Sequence, residues 1–145
     1  MRRHHSLLAI CALLISCNGA NPPTALTAAP IDPGSAPNPA QGRTGRWVKT
    51  GYAVSGTVAL AIANGVGRLD FSNDFTIAQT PGPVVYINST NNPNTGQPLR
   101  IGILKSRQGA QTYTFQVPSG VTYGWVLVWC DPFNAAMAQA DIRTP

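Results

Sequence analysis

The sequence predicts an all-β fold, a single β-sandwich or jelly-roll-like domain, on three observations. Apolar residues alternate with a period of two at Val58, Leu60 and Ile62, at Leu99, Ile101 and Ile103, and at Tyr113, Phe115 and Val117. Turn chemistry separates these runs: Asn64-Gly65, Pro81-Gly82-Pro83, the polar residues 89–98, Arg107-Gln108-Gly109 and Pro118-Ser119-Gly120. The pattern fills residues 46–145, about 100 positions, which is enough for one core.

The elements follow in order. After the run at Val58, Leu69-Asp70-Phe71 and Phe75-Thr76-Ile77 continue the alternation in short pieces. Residues 84–87 are β-branched and aromatic, as strands favour. Residues 125–130, Trp-Val-Leu-Val-Trp-Cys, are apolar on both faces and so predict a central strand. Residues 135–142 read as a final strand, with a short helix as the alternative their alanines permit. Seven to nine short strands at this spacing argue for a sandwich or a jelly-roll-like barrel.

The N-terminus sets an expected compartment. Met1-Arg2-Arg3-His4-His5 is a short basic region, and an apolar stretch of h-region length follows it. That stretch is far shorter than the roughly 20 residues needed to span a bilayer. Leu14-Ile15-Ser16-Cys17 resembles a bacterial lipobox, in which the cysteine becomes the first mature residue and carries the lipid. Residues 1–16 are therefore expected to be a lipoprotein signal peptide and Cys17 the lipidation site, with acyl chains as the membrane anchor. An ordinary cleavage near Gly19 or Ala20 fits less well, because Asn18 would take a position that prefers a small residue. Asn rather than Asp after the lipidated Cys favours the outer membrane or cell surface. Residues 17–45, with prolines at 22, 23, 30, 33, 37 and 39, read as a disordered, partly extended tether.

Composition narrows the chemistry. From Cys17 onward eight bases face five acids, a net charge of +3 with no basic run, so nucleic acid is not an expected partner. Both histidines, His4 and His5, fall in the signal. A catalytic triad, a blue-copper site and most zinc sites each need histidine. There is no Glu, and Asp70, Asp74, Asp131 and Asp141 are thin material for paired-carboxylate hydrolysis. Asp70, Asn73 and Asp74 could together hold a cation, but they read more simply as turn residues bonding local amides. A conventional enzyme with a substrate of its own is therefore not expected, and neither is a metal site.

Cys130 is then the residue of interest, the lone thiol of an exported domain. It is a candidate redox or ligand-binding centre, or else a small buried hydrophobe on the strand face of Val126 and Val128. Asp131 would raise its pKa if the carboxylate lay near, and Lys105 or Arg107 would lower it. Met137, the one mature methionine, offers a conceivable haem-type partner. Trp125, Leu127 and Trp129 share the opposite face, as core or as an exposed aromatic patch.

Residues 46–145 also resemble the DM-thirteen domain, an electron-transfer module found beside DOMON domains in animal proteins. The match runs in order through Ser55-Gly56-Thr57-Val58, Asn73-Asp74-Phe75 and Gly82-Pro83. It continues through Ile101-Gly102-Ile103-Leu104-Lys105 and Gly109-Ala110-Gln111-Thr112-Tyr113, ending on Val126-Leu127-Val128-Trp129-Cys130 with Phe133 and Ala140. Val84 stands where the family often has an acid, and Met137-Ala138 replaces a frequent aromatic-glycine pair. The resemblance implies a β-sandwich and places the family's shared cysteine at Cys130, as a bare thiol or a ligand to a prosthetic group. It leaves any cofactor unknown.

The expected function is thus an extracytoplasmic, lipid-anchored domain with a redox or electron-transfer role through Cys130 and an unidentified redox or envelope protein as partner. The alternative is a cell-envelope binding or adhesion module that makes its contacts through loops such as 89–98. A Cys130–Cys130 dimer is a third option and requires an exposed sulfur.

Overall fold

The computed structural model describes residues 20–143; the signal segment and Cys17 lie outside the described residues. Eleven strands make up most of the regular structure. They are β1 (Leu26–Thr27), β2 (Arg43–Lys49), β3 (Val54–Ser55), β4 (Thr57–Ala63), β5 (Val66–Phe71) and β6 (Thr76–Ile77), then β7 (Pro83–Asn88), β8 (Leu99–Ile103), β9 (Gln111–Gln116), β10 (Trp125–Cys130) and β11 (Ala135–Asp141). Nine of them form one curled sheet in the order β1-β8-β7-β10-β11-β2-β4-β5-β9, while β3 and β6 pair separately. The fold is all-β and sandwich-like. The segment after residue 134 is a strand, paired from Cys130↔Ala135 to Trp125↔Asp141.

The fold closes through β2. Its first half, Arg43 to Arg46, pairs with β4, and its second half, Trp47 to Lys49, pairs with β11. One strand therefore belongs to both layers, and the sheet bends back over its own apolar face there. Gly45 sits at this crossing, where an added Cβ would lie 2.3 Å from the Asp141 carbonyl oxygen. Only the residue without a side chain allows the two backbones this approach.

The enclosed core takes the inward residues of every long strand, including Trp47, Leu60, Leu69, Phe71, Val85, Phe115 and Val126. An aromatic knot anchors one end: Phe71 and Phe75 meet edge-on at 4.7 Å, and Trp47 lies 5.2 Å from Phe71. Burying one such ring stabilises the fold by about 1.5–3 kcal/mol. The Trp47 Nε1 in this knot is buried without a hydrogen-bond partner.

The expected tether differs from the structure. The chain at 26–31 runs into the seam between the two sheet ends, β8 and β9. Leu26 and Thr27 pair in parallel with Leu99 and Arg100, and the Ala28 amide donates to the Arg100 carbonyl at 2.8 Å. Crossing over, Ala29 accepts from the Gln116 amide at 2.9 Å, and the Ile31 amide donates to Thr114 at 3.3 Å. Two single-turn 3₁₀ helices follow, Pro33–Ser35 and Pro39–Gln41, with Asp32 and Asn38 accepting from the amides of Gly34 and Ala40. The physical reason is that prolines fix the extended backbone a seam strand needs, and each proline at a first-turn position gives up an amide that had no partner there. Beside this strand the seam leaves a cleft of about 270 Å³ lined by residues such as Ile101, Lys105 and Tyr113.

Candidate functional site: the Cys130 end of the sandwich

Strand β10 is central, flanked by β7 and β11, and its side chains are sorted by register. Val126, Val128 and Cys130 point into the enclosed core. Leu127 and Trp129 point outward, where Val84 and Tyr86 of β7 are their direct partners, and the four form a second buried cluster. Cys130 ends the strand, opposite Pro83 on one side and Ala135 on the other.

Cys130 is 2% exposed, and its Sγ donates to the Pro81 carbonyl at 3.0 Å. The acceptor belongs to the Pro81-Gly82-Pro83 turn, where Gly82 adopts φ +54°. At Gly82 an added Cβ would sit 3.0 Å from the Pro132 ring, so this turn packs on the turn that follows Cys130. One residue upstream, the Thr80 hydroxyl is buried and has no hydrogen-bond partner among the described residues. The thiol is thus a built feature of two packed turns. Its burial keeps the sulfur from meeting that of a second copy.

The chain next turns through a single 3₁₀ turn, Asp131–Phe133, which directs the Asp131 carboxylate to the outer side. There Oδ1 accepts from the Tyr86 hydroxyl at 2.7 Å and Oδ2 from Arg100 Nε at 3.1 Å. Burial, and then the hydrogen bond to Asp131, push the Tyr86 phenol above its ordinary pKa, so it remains a protonated donor. Two donors therefore hold Asp131 away from the sulfur. Of the two expected cations, Lys105 is engaged elsewhere: its ammonium lies over the Tyr113 ring at 4.6 Å and donates to the Thr112 carbonyl.

The outer aromatic face is covered. Loop 89–98 runs along it, pinned at one end by Asn88, whose amide donates to the carbonyls of Asn92 and Thr95 at 2.8 and 2.9 Å. At the other end Asn94 and Asn134 exchange side-chain hydrogen bonds at 3.0 and 3.1 Å, and Asn134 also accepts from Trp129 Nε1 at 2.9 Å. Trp129 is 7% exposed, and Trp125 is half-buried beneath the Arg143 guanidinium, 4.8 Å from its ring. The pair does not form an open aromatic platform.

Asp70 is a strand residue of β5 and not a turn residue: it accepts from Arg68 at 2.7 Å and from the Thr112 hydroxyl at 2.6 Å. Asp74 does lie in a turn, where its carbonyl accepts from Ser55. Among the described residues no three His, Cys, Asp or Glu side chains cluster as metal ligands would.

The fit of a prosthetic group can be judged from the donors present. Met137 is fully buried in the same core as Cys130 and sits at the β10–β11 register shift, where its carbonyl accepts from Thr50, Gly51 and Tyr52. The thiol is capped by a carbonyl, and neither sulfur lines any of the three clefts along the 24–30 segment. These residues do not fit a haem-sized macrocycle. They fit a bare thiol.

One comparison with known proteins is positive. The family model described as "Electron transfer DM13" matches residues 48–142. No curated protein and no solved structure matches the chain.

Proposed function

Because the chain belongs to the electron transfer DM13 family, we propose that it takes part in electron transfer through Cys130, a bare thiol that gives up one electron and its S–H proton to an oxidising partner protein and regains both from a reducing one, and that a lipid on Cys17 holds the domain outside the cytoplasm. The observation that carries this reading is the environment of Cys130. It is the free cysteine of the described residues, its Sγ donates to the facing Pro81 carbonyl, and it ends its strand at two packed turns. A cysteine that served only to fill the core would need no such fixed polar setting.

The extracytoplasmic, lipid-anchored part rests on the lipobox-like Leu14-Ile15-Ser16-Cys17. Mass analysis of the mature N-terminus tests it directly: an acylated peptide beginning at Cys17 is expected, and an unmodified peptide beginning further on would refute it. The redox part is tested by the visible spectrum and the electron-transfer activity of wild type beside Cys130→Ser. A clear spectrum in both, with activity lost in the variant, is the expected result. A visible band lost in the variant would replace the bare thiol with a bound chromophore. Full activity in Cys130→Ser would remove Cys130 from the pathway.

A further inference from the structure

The strand ends divide the exposed surface into two unequal poles. At the Cys130 pole β7 begins, β8, β2 and β10 end, and loops 78–82 and 104–110 turn over. Ile103, 68% exposed, and Phe133, 64% exposed, both lie here, and exposed Val48 lies on β2, further across the sheet with three strands between it and β8. Register places Ile103 beside Val84, which in turn faces Trp129, one residue before Cys130. Lys105 and Arg107 follow Ile103 in the chain and Lys49 ends β2 on the other side of the pole, and none of the three has an ion-pair partner among the described residues. Among the described residues the acids at this pole are Asp74 and Asp131, and Asp131 is already neutralised by Arg100.

The far pole differs. Arg143 is paired with Asp141 at 2.6 Å, and Arg43 donates to the Tyr123 carbonyl. The N-terminal chain also enters there, at Leu26 beside Leu99, the β8 residue remote from Ile103. The anchored end of the protein therefore leaves the pole opposite Cys130.

We infer that the Cys130 pole is a docking surface for an acidic electron-transfer protein. This rests on the reading of Cys130 given above and supplies its partner class. An apolar centre with a net positive rim lets complementary charge steer the encounter while the apolar contact holds it briefly. The occupant is a protein and not an anionic lipid surface, because the chain leads away to its own membrane from the other pole. The contact places the partner over the two turns that cover the sulfur.

The experiment titrates the full chain, ¹⁵N-labelled in detergent micelles, with an acidic plant-type [2Fe–2S] ferredoxin and in parallel with a basic cytochrome c. Ferredoxin is expected to shift the amides of residues 103–108 and 131–134, an effect suppressed by about 0.5 M salt. Arg107→Glu with Lys49→Glu, both exposed side chains, should weaken binding at least about tenfold, and Phe133→Ala should weaken it by a similar factor. Equal shifts by cytochrome c, shifts confined to the far pole, or binding unaffected by charge reversal would each overturn the inference. So would shifts of the same residues by phosphatidylglycerol vesicles in the absence of any by ferredoxin. Cys130→Ser separates the two proposals. Docking that persists while electron transfer fails supports both, and docking that persists while electron transfer also persists refutes only the role of the thiol. In the charge-reversed variant, loss of docking with the thiol-dependent activity intact would refute only the surface.

Discussion

Tyr86 and Asp131 stand 45 residues apart in the chain and 2.7 Å apart in the fold, the phenol donating to the carboxylate beside the candidate thiol. Arg100 Nε takes the second carboxylate oxygen at 3.1 Å, so β7, β8 and the turn after β10 are joined at one residue. This fixes the backbone immediately after Cys130 and keeps a negative charge off the sulfur's side of the sheet.

Tyr86→Phe should cost about 1 kcal/mol, because the carboxylate keeps Arg100 and water can reach its freed lone pair. Asp131→Ala should cost more, about 1–3 kcal/mol, since it leaves a buried phenol without an acceptor. Urea midpoints for the two variants check the order. Equal losses would mean that the phenol finds another partner.

The native thiol should resist alkylation. With Cys130 2% exposed, modification by iodoacetamide requires an opening of the two covering turns. The labelling rate in buffer should fall at least about a hundredfold below that in concentrated urea. Gly82→Ala, strained at φ +54° and pressed on Pro132, should speed native labelling.

Gly45→Ala is expected to be among the most damaging small substitutions, at the upper end of the 1–3 kcal/mol that overpacking usually costs. The Asp141 carbonyl cannot move aside without breaking the β2–β11 seam. Thermal unfolding beside Gly65→Ala provides the control, because an added Cβ at Gly65 meets nothing within 4 Å and only its φ of +75° is strained.

Asp141 offers a pH test with a defined sign. Hydrogen bonds from Arg143 hold its pKa at about 2, below the ordinary 3.8. A lowered carboxylate pKa contributes stability that is fully present above the ordinary value and is lost as pH falls through the folded value. The side-chain carboxyl ¹³C signal should therefore titrate near 2 in wild type and return towards 3.8 in Arg143→Gln. An unchanged midpoint in the variant would assign the shift elsewhere.

Much of the sheet was legible from side chains alone because its strands alternate. Leu99, Ile101 and Ile103, or Tyr113, Phe115 and Val117, announce one wet and one dry face. Two of the elements that escaped did so for opposite reasons. Strand β2 places Gly45 and Trp47 inward, a dry face too sparse for a periodicity signal, and its real mark is a glycine required by a neighbouring backbone. The seam strand at 26–31 is held by backbone hydrogen bonds and contributes one small core side chain, Ala28, so composition reads it as spacer. At the site, the sequence singled out Cys130 and its face. It offered no means to pair Asp131 with Tyr86 and Arg100, or to see loop 89–98 lie over Trp129, because those contacts join residues 31 to 45 positions apart.

The seam strand also sets how far this domain can travel. With the lipid on Cys17, as proposed, a free chain reaching to Arg43 would give a leash of about 90 Å when fully extended. Since the chain is captured at Leu26, nine residues remain and the leash falls to about 30 Å. A threefold shorter radius confines the domain to a volume about thirty times smaller, which raises its encounter rate with anything anchored nearby and excludes what stands further off.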